Sequence, residues 1–188
     1  MRRPTWRVPA ILLAALLACG LSACSGDEAG ERAVTPSATT TSPDAVAVLL
    51  DSGLQAAAAG DTAGAREAFN SVLTLDPENV QATYNLGQLL QTEGRGGQAI
   101  DQYDAALALD PDFVPAIYNR AILLETRDLG AAVEGYERVI ELDAERAPAY
   151  VRLGFALDEL GETERAAEVR AQGLAIDPSL ASAEPPTY

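Results

Sequence analysis

The chain has 188 residues, with 13 arginines, no lysine, no histidine and 28 acids, for a formal net charge of −15. That balance disfavours nucleic acid and anionic lipid surfaces as partners, because both carry the same sign of charge. With two cysteines and no histidine, the composition supplies no nucleophile–base pair and no thiolate metal cluster, which argues against an enzyme.

The first predicted element is a secretory leader over residues 1–23. Arg2, Arg3 and Arg7 precede an apolar run from Val8 to Leu21 that is too short for an ordinary spanning helix. It ends in Leu21-Ser22-Ala23-Cys24, which resembles the bacterial lipobox; Leu16-Leu17-Ala18-Cys19 is a weaker match that cuts the apolar run short. The resemblance implies that Cys24 is the lipidation site. It would take a diacylglycerol on its thiol and become the first residue of a chain that is exported and lipid-anchored to a bacterial membrane on its extracytoplasmic face. Several acyl chains anchor firmly where one alone is marginal. The competing account leaves Cys24 as a small buried hydrophobe in an uncleaved signal. Cleavage removes three arginines and no acid, so the mature charge falls near −18.

Residues 24–45 hold the lipidated cysteine and a linker rich in Ser, Thr, Pro, Gly and charge, including Thr39-Thr40-Thr41. No apolar periodicity survives there, which predicts a disordered tether. Twenty residues of flexible coil reach about 25 Å.

From residue 46 the chain repeats. Asp76-Pro77, Asp110-Pro111 and Asp177-Pro178 stand 34 and then 67 residues apart, and Asp143-Ala144 fills the place of the missing pair. In register they define four units, 46–79, 80–113, 114–146 and 147–180, followed by a tail over 181–188. A period near 34 predicts stacked helical hairpins. Small residues recur as Gly53, Gly87, Ala121 and Gly154, and alanine recurs as Ala65, Ala99, Ala132 and Ala166. An aromatic follows as Phe69, Tyr103 and Tyr136, but the fourth unit has Arg170. The third unit lacks one residue, most simply in the turn around Arg127 to Gly130. Gly60, Gly94 and Gly161 suit the turns between the helices of a hairpin. Pro115 and Pro148 suit first helical turns, and Pro77, Pro111 and Pro178 end second helices. Eight helices and no strand are expected.

The second unit, with Tyr84-Asn85-Leu86-Gly87, Leu90, Gly94, Ala99, Tyr103, Ala106 and Pro111, closely resembles the tetratricopeptide repeat. The resemblance implies an all-α, right-handed α-solenoid whose first helices line a concave groove. On the family's groove positions stand Tyr84, Asn85, Gln88, Tyr118, Asn119, Ile122, Arg152 and Phe155, which become the candidate partner-binding residues. Tyr and Arg offer rigid area and planar donors, and the Asn amides suit the backbone of an extended peptide. Tyr-Asn before Leu-Gly is also the family's consensus, so a scaffold role competes with a binding one. The family's lysine clamp for a terminal carboxylate has no counterpart here.

Nothing in the repeats reads as chemistry. Gly94-Arg95-Gly96-Gly97 has no preceding strand and no following Lys-Ser/Thr, so it is a hairpin turn rather than a phosphate loop. Calcium-loop spacing is lacking and no metal or other cofactor is expected. The expectation is an anchored envelope scaffold for a protein or peptide partner. The alternative is a self-assembling homo-oligomer, favoured if Leu174 and Ile176 are exposed on a last helix capped by Arg170 and Gly173.

Overall fold

The computed structural model describes residues 43–185. The expected leader, Cys24 and most of the linker lie outside the described residues. Eight α-helices follow one another without a strand among the described residues: α1 (Pro43–Ala58), α2 (Thr62–Leu75), α3 (Val80–Thr92), α4 (Gly96–Leu109), α5 (Val114–Leu124), α6 (Leu129–Leu142), α7 (Ala147–Glu159) and α8 (Thr163–Ile176). Each packs mainly on its neighbours in sequence, which is the contact pattern of a solenoid.

The breaks between helices have local causes. Asp61, Asn79 and Asp128 cap α2, α3 and α6 by accepting from the backbone N–H three residues on, at 2.9, 2.9 and 3.0 Å. Pro115 and Pro148 stand in the first turns of α5 and α7, where a missing donor costs little. Gly60, Gly94 and Gly161 take positive φ between the helices of hairpins one, two and four. The third hairpin has no such glycine. Its α5 has 11 residues against 13 for α3 and α7, and the chain turns through Glu125 to Asp128. The residue missing from the repeat is therefore lost from that turn.

Two boundaries differ from expectation. The linker ends sooner, because α1 begins at Pro43 rather than after residue 45. Proline's fixed φ suits a first helical position, and Asp44 in the first turn complements the helix dipole. At the other end the chain does not run straight into a tail after residue 180. A 3₁₀ turn, Pro178–Ser182, forms where Asp177 accepts from the Ser179 N–H at 3.0 Å and its hydroxyl at 2.7 Å.

Within a hairpin the two helices meet at a small residue facing a large one. A Cβ on Gly53 would come within 2.5 Å of the Phe69 ring, and one on Gly87 within 2.6 Å of the Tyr103 ring. The third hairpin reverses the arrangement. Ala121 keeps its methyl, and the room comes from Gly135 on the facing helix, where a Cβ would lie 2.9 Å from that methyl. Ala65, Ala99, Ala132 and Ala166 are fully buried along the same seams.

Between hairpins, Ala82, Ala116 and Ala149 are buried one per junction. The equivalent Val48 in α1 is 67% exposed, because no described hairpin precedes it. Ion pairs add to each junction. Arg66 meets Glu93, Arg120 meets Asp104 at 2.5 Å, Arg138 meets Asp112 at 2.6 Å, and Arg165 meets Glu137.

Candidate functional site

The face made by α3, α5 and α7 carries the eight candidate residues, and stacking places successive units side by side along it. Tyr84 is half-buried. Its ring stands edge-on to Phe113 with centroids 5.3 Å apart and tilts against Tyr103 at 5.8 Å. Asn119, one unit further, donates from its amide to the Tyr84 hydroxyl at 3.0 Å. Burial pushes the Tyr84 hydroxyl above the ordinary phenol pKa, against the opposing pull of Asn119 and Arg146. The next residue pair in the same register is Tyr118 and Arg152. Tyr118 lies under the Arg146 guanidinium, 5.6 Å from ring centroid to Cζ, and edge-on to Tyr136 at 5.8 Å. Burial again raises the Tyr118 hydroxyl pKa, and the arginine charges oppose it.

The preceding pair is incomplete. Asn85 should reach back to the first unit as Asn119 reaches back to the second, but Leu50 stands where a tyrosine would offer an oxygen. Asn85 is only 5% exposed, and its Nδ2 finds no hydrogen-bond partner among the described residues. Of the remaining candidates, Gln88 is half-buried, and Ile122 packs on the core of the third and fourth hairpins. Phe155 is half-buried under the Arg170 guanidinium at 5.8 Å.

Arg152 is held from below by an acid that sequence reasoning passed over. Glu125, 7% exposed at the end of α5, accepts from Arg152 Nη1 with both oxygens at 2.9 Å and from the Tyr136 hydroxyl at 2.5 Å. Burial alone would lower the Arg152 pKa, but its bonds to Glu125 and that carboxylate's charge raise it. Burial and the Glu125 bond likewise raise the Tyr136 hydroxyl. Arg152 therefore stays charged and oriented, with donors to spare for a second acceptor.

At the α7 end the face closes into a crevice of about 170 Å³. Tyr118, Val151, Arg152 and Phe155 form one wall, and Leu180, Ala183 and Glu184 from the C-terminal segment form the other. Chemically this is an apolar slot with a cation and an acid at its rim. Such an arrangement has room for an apolar side chain beside polar groups at its rim. Leu180 and Glu184 were not candidates in the sequence, because a Ser/Ala/Pro tail carries no periodicity. Among the described residues no helix is long and apolar enough to cross a membrane, and no group of metal-ligating side chains converges.

Comparison with known proteins agrees with the fold of helical repeats. A family model described as tetratricopeptide repeat matches residues 50–112, and a second of the same description matches residues 147–180. Neither covers the third hairpin with its shortened turn. A crystal structure of MamA is similar at 31% identity and a TM-score of 0.61, over 67% of this chain and 74% of that one. MamA 41-end from Desulfovibrio magneticus RS-1 is similar at 25% identity and 0.63, over 73% and 78%. YrrB, a TPR protein with an unusual peptide-binding site, shares the fold at 20% identity and 0.61, over 72% and 71%. No curated protein matches the chain.

Proposed function

We propose, from the premise that the chain belongs to the tetratricopeptide repeat family, that it is a lipid-anchored scaffold of the bacterial envelope. Solenoids of this family typically mediate protein–protein interaction or peptide binding. In this reading Cys24 carries the anchor, the linker spaces the hairpins from the membrane, and the α3–α5–α7 face takes an extended peptide or protein segment. The observation that supports it is the aligned register of Tyr84 with Asn119 and Tyr118 with Arg152, ending in an apolar crevice.

Two experiments test it. Site-specific crosslinking in cells, with the photoreactive group at Gln88 or Phe155, should capture a protein that is lost with Tyr118→Ala while circular dichroism stays unchanged. Equal capture from a group placed at exposed Asp101 on α4 would move the binding surface off this face. Cys24→Ala should release the protein from membranes or stall its processing, and Cys19→Ala should do neither. Normal membrane fractionation of the Cys24 variant would end the anchoring proposal.

The second reading, self-assembly, draws on apolar residues left open at both ends, Val48 on α1 and Ile176 on α8, which is 42% exposed. Light scattering on the soluble repeat region distinguishes a monomer from an oligomer.

A further inference from the structure

The C-terminal segment reaches the same crevice that the proposed function assigns to a partner. Proline at 178 stops α8, and the Asp177-capped turn redirects the chain toward α7 instead of away from the solenoid. The turn makes Leu180 line one crevice with Val151, Phe155 and Leu174, and sets Ala183 and Glu184 in a crevice with Tyr118 and Arg152. Ala183 is extended, at φ −63° and ψ 127°, close to the polyproline conformation in which peptide ligands are often held. The hold is slight. Leu180 is only half-buried, and Ala181 to Pro185 are exposed. Glu184 shares the crevice with Arg152, yet no ion pair joins them, and Arg152 bonds Glu125 instead.

We infer that residues 178–185 act as an internal ligand of the α7 end of the binding face, which an incoming peptide must displace. The segment also describes its competitor: an extended peptide with one large aliphatic side chain to take the place of Leu180 and a single carboxylate near Arg152. This rests on reading the α3–α5–α7 face as the binding site. A tethered segment sits at an effective concentration in the millimolar range, so a modest contact suffices to suppress weak ligands and admit strong ones.

The test uses the chain's own segment as probe, so it needs no identified partner. A fluorescent synthetic peptide of residues 178–185 is titrated into the detergent-purified full chain and into the full chain carrying Leu180→Asp. The variant, its segment released, should bind the peptide about tenfold tighter or more than the unmodified chain. Adding Phe155→Ala to the variant should abolish the gain, and so should Leu180→Asp within the peptide. A chain ending at Asp177 provides a second receptor that should behave like the Leu180→Asp variant. Equal affinity for the unmodified and released chains, or no saturable binding by either released form, overturns the inference. The cellular crosslinks are read separately, so the groove assignment and the internal ligand can each fail alone.

Discussion

The third and fourth hairpins are built on one plan and differ where it matters most. In the third, Tyr136 fills the seam, is fully buried and donates to Glu125. In the fourth, Arg170 stands in its place. Its stem runs over Gly154, where an added Cβ would lie within 2.3 Å of Arg170 Cγ. Its guanidinium bonds the Gly154 carbonyl at 3.2 Å and the Asp158 carboxylate and covers the Phe155 ring. An aromatic is buried from both sides only when another hairpin follows. No described hairpin follows the fourth, and a side chain with an apolar stem and a wet head suits that position. The comparison teaches that one substitution at an unchanged position lets a hairpin stand without a described neighbour on its far side.

The largest expected effect falls on the inner hairpin. Tyr136→Ala should cost about 3–5 kcal/mol in urea unfolding, as for a large aromatic removed from a core. Arg170→Ala should cost less than about 1 kcal/mol, because its partners stay in reach of water. Equal losses would mean that the two hairpins are supported alike. Arg152→Ala comes next, at about 2–3 kcal/mol, because it leaves the buried Glu125 carboxylate with only Tyr136. Restoration by the additional change Glu125→Gln would trace the loss to that unpaired charge, and an additive further loss would refute it. Ala132→Leu should overpack the third seam by about 1–3 kcal/mol, whereas Ala167→Leu on the exposed side of α8 should stay within about 0.5 kcal/mol. Matching melting temperatures for these two would place the seam elsewhere. One change is a gain. Leu50→Tyr supplies the oxygen that Asn85 lacks and should add about 1 kcal/mol. No gain would mean that Asn85 cannot turn toward the first unit. Arg170→Tyr should remove the polar head from the fourth hairpin and raise the mass read by light scattering above that of the unmodified chain; an unchanged mass would show that the C-terminal segment covers that position alone.

Much of the fold was legible because its causes repeat. The Asp-Pro pairs, the small residue facing an aromatic and the buried alanine each recur at fixed spacing, so one unit taught the others. The site was legible only as positions. Asn119 and Asn85 occupy the same phase, yet one is bonded to Tyr84 and the other is buried without a partner. The difference lies in Leu50, 35 residues from Asn85. Glu125 was hidden for a related reason. A glutamate at the end of a helix reads as solvated, and only stacking brings Arg152 over it. The folded-back segment left no trace, since a single leucine among Ser, Ala and Pro has no period. The early start of α1 was missed because Pro43 looks like linker until it is seen to open a helix.

The exposed arginine pairs between hairpins have a mechanical consequence. Each joins one hairpin to its neighbour at the rim of a junction whose interior is apolar, with Leu86 and Leu89 clustered with Phe69 and Val72, and Leu153 and Leu157 with Tyr136. Exposed pairs add little to folding free energy and weaken in salt, while the buried seams inside each hairpin do not. Raising the ionic strength would cost the junctions these rim contacts while the hairpins and their apolar stacking stay in place.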